Sequence, residues 1–321
     1  CTRDSKGCNN CDIYYTTKIK STDGTYRWSE SRDFPKSISK KDAWDSQPTV
    51  SSDGNTIIFS SNRKGGYGKT DLYEITFENN QWSVPKNLGT NINSAEEEKS
   101  PFLHTDGKTL FFSSTNFPTL GGFDIFYSRK DSLGKWQKPI NIGYPINTSK
   151  DEVSLFVSTD GKIAYFASNK LIGEGGWDIY GFPLHEAAKP ERVLFLKGDL
   201  YDEDGTLAKD VEIELRNLTT QKITTINVDK GSYIGAITLK ENDDVLLSIK
   251  EEGYAFYSEY IGADDSTYVS PSTLDIELKQ ISMGSSFKID NIYFATNSYE
   301  INQISEQVIN EFISYLRENK S

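Results

Sequence analysis

The sequence predicts a mainly β protein made of repeated four-stranded sheets, then a small β-sandwich, then a short β–α segment. Three observations predict it. Asp-Gly turns recur at intervals of 53 and 54 residues through the first half, and strict apolar/polar alternation takes over in the second. The composition also holds 18 Tyr and 17 Phe against a single Met, so aromatic rings carry much of the packing.

Size and charge narrow the function classes. With 321 residues, 36% hydrophobic and 26% charged, the chain is long enough for two or three domains. A formal charge of −12, from 47 acidic and 35 basic residues, leaves no electrostatic footprint for nucleic acid. No apolar run reaches the roughly 18–20 residues that span a bilayer, and no charged-then-apolar signal segment opens the sequence.

The repeat orders the first half. Asp53-Gly54, Asp106-Gly107 and Asp160-Gly161 each precede an apolar strand: Thr56–Ser60, Thr109–Ser113 and Ile163–Ala167. Asp-Gly supplies the positive φ of a tight turn, and β-branched or aromatic residues beyond it suit a pleated, half-buried surface. A second marker follows a Gly-rich loop: Asp71-Leu-Tyr, Asp124-Ile-Phe and Asp178-Ile-Tyr, with an earlier copy at Asp12-Ile-Tyr. A third is Trp82-Ser-Val-Pro-Lys-Asn-Leu-Gly and Trp136-Gln-Lys-Pro-Ile-Asn-Ile-Gly, echoed from Trp28 to Pro35. Three markers on one period of about 50 residues read as blades of a β-propeller, each a four-stranded sheet that cannot bury both faces alone.

These residues resemble the TolB-type, WD-like propeller repeats of Bacteroidota OmpA-family envelope proteins, over residues 1–186. The matching motifs are the Ser-Ser-Asp-Gly, His-Thr-Asp-Gly and Ser-Thr-Asp-Gly turns, the Phe-Ser-Ser-Asn-Arg63 strand end, and the Gly-Gly-(Phe/Trp)-Asp-Ile strands. About three and a half blades are expected, starting inside a blade, against the usual four to eight. Cys1, Cys8 and Cys11 are the chain's three cysteines. A candidate disulfide among them, a thiolate metal site and a lipid-modified Cys1 are the open readings. Three thiols without a fourth ligand make a poor zinc site, and the repeat register puts Cys1 at a strand end, which argues against acylation.

After a linker at 187–192 the period stops. Val193–Asp202, the Asp204-Gly205 turn, Val211–Leu215, Ile223–Val228, Gly231–Gly235, Val245–Ile249 and Gly253-Tyr254 predict a small antiparallel sandwich over 193–279. This order of strands and turns resembles the carboxypeptidase regulatory-like, transthyretin-type module, which is not itself a peptidase. Residues 280–321 read as a strand and turn, Phe287–Ile301, and an amphipathic helix, Ser305–Arg317, with Val308, Ile309, Phe312 and Leu316 on its apolar face. They resemble the opening of an OmpA-like domain. In that family the peptidoglycan-contacting residues come later, so no such contact is assigned to this sequence.

No catalytic, cofactor or metal residues are expected. Two His, and no Cys after Cys11, supply little for nucleophilic catalysis. Asp12, Asp71, Asp124 and Asp178 recur at one blade position, so they are read as acids accepting backbone N–H bonds in a neighbouring loop. Trp28, Trp82 and Trp136 are read as packing between blades, and Gly54, Gly107 and Gly161 as turn residues. The resemblance implies a periplasmic scaffold at the outer membrane that binds envelope proteins. It also implies a full-length parent held to peptidoglycan by the rest of its C-terminal domain, in some relatives serving type IX secretion or gliding. The alternative is a carbohydrate-binding or glycoside-cleaving propeller, since two paired acids suffice for a glycosidase.

Overall fold

The computed structural model describes residues 11–319 except 22–24, 36, 41, 170–172, 174, 209–210, 241–242, 263–271, 283, 285, 287 and 295–297. It is mainly β, with one α-helix among the described residues. Two units separate, Cys1–Pro190 and Glu191–Ser321. The division falls inside the 187–192 linker and puts 193–279 and 280–321 in one unit.

In the first unit, four short strands come first: β1 (Tyr14–Tyr15), β2 (Lys18–Lys20), β3 (Tyr26–Trp28) and β4 (Arg32–Asp33), paired β1 with β4 and β2 with β3. Three antiparallel meanders follow. The first holds β5 (Asp45–Val50), β6 (Thr56–Ser61), β7 (Asp71–Glu78), β8 (Gln81–Trp82) and β9 (Lys86–Asn87). The second holds β10 (Glu98–Leu103), β11 (Thr109–Ser114), β12 (Asp124–Arg129) and β13 (Ile140–Asn141). Among the described residues the third has only β14 (Glu152–Val157), β15 (Ile163–Ser168) and β16 (Asp178–Pro183). The uniform four-strand expectation therefore holds for the second sheet alone. Beyond β16 the chain enters a 3₁₀ turn at Glu186–Ala188, and no Trp-x-x-Pro-x-Asn segment follows to supply an outer strand.

Each meander covers its neighbour. Ile58 and Leu72 of the first sheet pack on Leu103, Leu110, Phe112 and Phe126 of the second. Phe111, Ile125 and Tyr127 of the second pack in turn on Leu155, Val157, Ala164 and Phe166 of the third. Burying each such side chain contributes about 1.5–3 kcal/mol, which makes these interfaces the main stabilising term of the unit. Arg129 fastens the segment after β16, donating to the carbonyls of Ala187 (3.0 Å) and Lys189 (2.7 Å).

The second unit is one eight-stranded sheet: β17 (Arg192–Asp202), β18 (Glu212–Asn217), β19 (Ile223–Asp229), β20 (Ser232–Leu239), β21 (Val245–Ile249), β22 (Tyr257–Ile261), β23 (Ser272–Thr273) and β24 (Ile276–Leu278). The predicted antiparallel pattern is broken at one place, where β23 and β24 run parallel to β17. Gly198 permits that approach, because a side chain there would strike the Leu274 carbonyl. Ile261 of β22 and Ile276 of β24 share one core cluster, so the sheet curls to enclose it.

The segment 287–301, predicted as a strand and turn, makes only an isolated bridge between Phe294 and Ile301 among its described residues; Phe287 lies outside them. The helix α1 spans Gln303–Glu318, with Asn302 Oδ1 accepting the Ser305 N–H as N-cap. Its buried stripe is Ser305, Val308, Glu311 and Tyr315; the predicted face holds at Val308 and at Phe312, which packs on Phe256, but not at Leu316, which is exposed. The reason is Glu311, which the helix turns inward between Arg216 and Lys250 while Val308 and Tyr315 reach Leu246 and Phe256.

Candidate functional site

The first strand of each meander repeats one local design. β5, β10 and β14 open on an acid, Asp45, Glu98 and Glu152, and each carries a bulge two residues on, where its pairing to the next strand shifts register. At the bulge Gln47, Ser100 and Ser154 adopt left-handed conformations, with φ of 53°, 49° and 58°. Side chains other than glycine disfavour that region, so three equivalent cases mark strain that the surrounding sheets hold in place.

The three bulges meet. Ser100 N–H donates to Gln47 Oε1 at 3.0 Å, Leu103 N–H to Thr49 Oγ1 at 3.0 Å, and the hydroxyls of Ser154 and Ser100 are 3.4 Å apart. Around them lies a cavity of about 210 Å³ lined by Gln47, Pro48, Ser100, Pro101, Phe102 and Ser154, among others. The rings of Phe102 and Phe156 stand 4.9 Å apart. An amide, two hydroxyls and an aromatic rim on rigid strands suit hydrogen bonding and apolar contact with a bound segment.

The opening acids are buried and turned into their own sheets. Glu98 accepts from Ser94 N–H (2.9 Å), Ser94 Oγ (2.6 Å) and Ser114 Oγ (2.9 Å). Glu152 accepts from the matching Thr148 N–H (2.8 Å), Thr148 Oγ1 (2.6 Å) and Ser168 Oγ (2.9 Å). Asp45 takes Ser61 Oγ and an ion pair with Arg63 at 2.8 Å instead. Burial pushes the Glu98 carboxyl up against the opposing pull of these donors. Sequence reasoning missed both the acids and the bulges. The signal was present as Asp45-x-Gln-Pro, Glu98-x-Ser-Pro and Glu152-x-Ser-Leu, on the same period as the turns.

The repeat aspartates divide. Asp71 and Asp124 are buried; Asp71 accepts Tyr67 N–H (2.6 Å), Gly68 N–H (3.0 Å) and Asn87 Nδ2 (2.7 Å), and Asp124 accepts Leu120 N–H (2.7 Å) and Asn141 Nδ2 (2.8 Å). Asp178 is half-buried and, among the described residues, takes only a long bond from Gly175 N–H, 3.3 Å. Asp12 is half-buried as well; burial, then the charges of Asp45 and Asp33, raise its carboxyl.

Among the tryptophans, Trp136 is buried against Ile92 and Leu110, with Asn91 Nδ2 donating to its carbonyl at 2.7 Å, and Trp82 sits edge-on to Phe34 at 5.6 Å. Trp28 departs from the expected packing and is 68% exposed.

Gly54, Gly107 and Gly161 have φ of 74°, 67° and 70°, and their N–H groups close turns onto Ser51, His104 and Ser158. The turns also link sheets: Ser52 Oγ donates to Thr105 O at 3.1 Å, and His104 Nε2 lies 3.1 Å from Ser158 O. His104 Nδ1 accepts the Asp106 N–H at 3.2 Å. Burial would raise the Asp106 carboxyl, but His104, the Lys108 N–H and Thr109 outweigh it and hold the group at about 2.

Cys11 is buried and disulfide-bonded, while Cys1 and Cys8 lie outside the described residues. Among the described residues no group of three or more His, Cys, Asp or Glu side chains could hold a metal ion, and no helix is long and apolar enough to cross a membrane.

No family model and no curated protein matches the chain. Solved structures similar to it include TolB from Acinetobacter baumannii, at 13% identity and a TM-score of 0.33 over 79% of this chain and 52% of that one. The chain thus spans about half of that TolB. It is also similar to an α-L-arabinofuranosidase from Lactobacillus brevis, at 12% identity and a TM-score of 0.33 over 71% and 70% of the two chains. A periplasmic gluconolactonase from Pseudomonas aeruginosa aligns at 11% identity and a TM-score of 0.28 over 82% of each. At such scores the architecture is read from the chain's own sheets.

Proposed function

We propose that this chain is a non-enzymatic interaction scaffold of the cell envelope. In this reading residues 11–190 are blades of a β-propeller, and the second unit adds a sandwich and helix. The observation that carries it is the cavity where Gln47, Ser100 and Ser154 hold strained backbone at equivalent bulges. Three sheets sustain the same cost to present one surface, and a preorganised surface is what a binding site needs.

The ligand class follows from the lining. Prolines, Phe102 and neutral polar groups favour an extended polypeptide over an anion or a metal. An envelope location, periplasmic and at the outer membrane, and a parent anchored to peptidoglycan remain part of the proposal and rest on the motif resemblance. A carbohydrate-binding or glycoside-cleaving role would need an aromatic platform or a pair of free acids. Of the repeat tryptophans Trp136 is buried and Trp82 is packed on Phe34, which leaves Trp28 exposed by itself, and the inner acids are committed to their own sheets; this favours the scaffold.

The test is retention of solubilised outer-membrane proteins and of purified peptidoglycan sacculi on the immobilised chain, run beside its Gln47→Ala and Phe102→Ala variants. A discrete protein retained by the chain and lost from either variant is the expected result. Capture of glycans in place of protein, or retention unaffected by both variants, would overturn it.

A further inference from the structure

The first two meanders are closed on their outer edge by one device. In the first, Asn93 Oδ1 accepts the Leu72 N–H (2.7 Å) while its Nδ2 donates to Leu72 O (2.9 Å) and to Asn87 Oδ1 (2.8 Å). Asn87 Nδ2 reaches Asp71, and Leu88 N–H also donates to Leu72 O. The second repeats this atom for atom: Asn147 embraces Ile125 at 2.8 and 2.9 Å, Asn141 bridges Asn147 and Asp124, and Ile142 N–H meets Ile125 O. In both, the two asparagines stand six positions apart, with glycine two after the first.

The third meander has the receiving half of this clasp and lacks the giving half. β16 pairs with β15 in the register of β12 with β11, so Ile179 occupies the place of Ile125. Among the described residues no strand pairs its outer edge. Among the described residues Asp178 keeps one long bond, and the buried Tyr180 hydroxyl has no partner. The adjoining sheet face is bare too: Ile179 is 79% and Tyr165 45% exposed where Ile125 and Phe111 are fully covered.

We propose that the outer edge of β16 binds, by strand addition, a segment of a partner polypeptide carrying asparagine, an apolar residue, glycine and a second asparagine six positions after the first. The first asparagine meets Asp178 and Tyr180, the second embraces the Ile179 peptide groups, and the strand continues the sheet. The chemistry of the occupant is fixed by the two clasps already present, and the site is separate from the bulge cavity, so it stands whether or not that cavity binds protein.

The probe is a labelled synthetic peptide of residues 82–94, Trp-Ser-Val-Pro-Lys-Asn-Leu-Gly-Thr-Asn-Ile-Asn-Ser, titrated into the whole chain by fluorescence anisotropy. Saturable binding is expected, weakened at least tenfold by Asn87→Ala with Asn93→Ala in the peptide. Ile179→Pro in the protein, which removes the outward N–H on an edge strand, should weaken it equally. The two peptides are compared on unaltered protein, so a misfolded Ile179→Pro leaves the test intact. Equal binding of both peptides, or none, overturns the proposal. So does a concentration-dependent dimer that the peptide dissociates, because the occupant is then a second copy of this chain.

Discussion

At the scale of single residues, the chain uses carboxylates as internal hardware. Asp106 is the sharpest case, held at about 2 inside a turn that also carries His104. A depressed folded value adds stability that is complete above the unfolded carboxyl range and is lost as pH falls from about 4 toward 2. Asp106→Asn should therefore cost about 2 kcal/mol at pH 7, and the gap from the parent should close by pH 2, as read from urea melts at both pH values. The bulge serines carry the opposite sign. Ser154→Gly removes a left-handed serine from an exposed position and should raise stability by about 1 kcal/mol in the same melts, while weakening whatever the cavity binds if its hydroxyl takes part. Turn chemistry was legible from sequence because Asp-Gly acts within four residues. The acids Asp45, Glu98 and Glu152 were in plain register too, yet an acid reads as solvent-facing until the hydroxyls that satisfy it, 16 positions away at Ser61, Ser114 and Ser168, are seen beside it.

At the scale of elements, the repeat period located the inner strands well, since each Asp-Gly turn is followed directly by a short apolar run. The outer strands were less legible. They are two residues long and are held by asparagine side chains more than by a ladder, and no hydrophobic pattern announces that. The helix shows the same limit. Its period was visible but its orientation was not, because Glu311 faces inward. Arg216 Nε approaches Glu311 at 2.5 Å without hydrogen-bond alignment, and Lys250 lies 3.2 Å away on the other oxygen and 2.6 Å from Glu214. Burial disfavours the Lys250 charge, but Glu214 and Glu311 more than offset this and raise its value. Removing the shared acid leaves Lys250 to Glu214 alone and Arg216 with no acid beside it under the helix. Glu311→Ala should cost about 3 kcal/mol and release α1 before the sheet, detected as early loss of amide protection in 303–318 by hydrogen exchange.

At the scale of the whole molecule, the two units have separate cores and differ in how they are made. The first is a series of similar sheets, each contacting its neighbours in the series; the second closes one sheet on itself. Residues 191–321 expressed alone should keep their helix and melt in one cooperative transition by far-UV circular dichroism, since the cluster around Ile213, Leu247 and Ile276 is complete within that span. The likeness of the first two clasps bears on how the chain reaches its fold. While still unfolded, it holds two nearly interchangeable closing strands and three edges able to receive them, and the free edge at β16 is a decoy for both. Strands captured one sheet too late would trap the chain in mispaired forms. Blocking the decoy with Ile179→Pro should therefore raise the yield of native protein on rapid dilution from urea, and the added peptide of residues 82–94 should do the same by occupying the edge first.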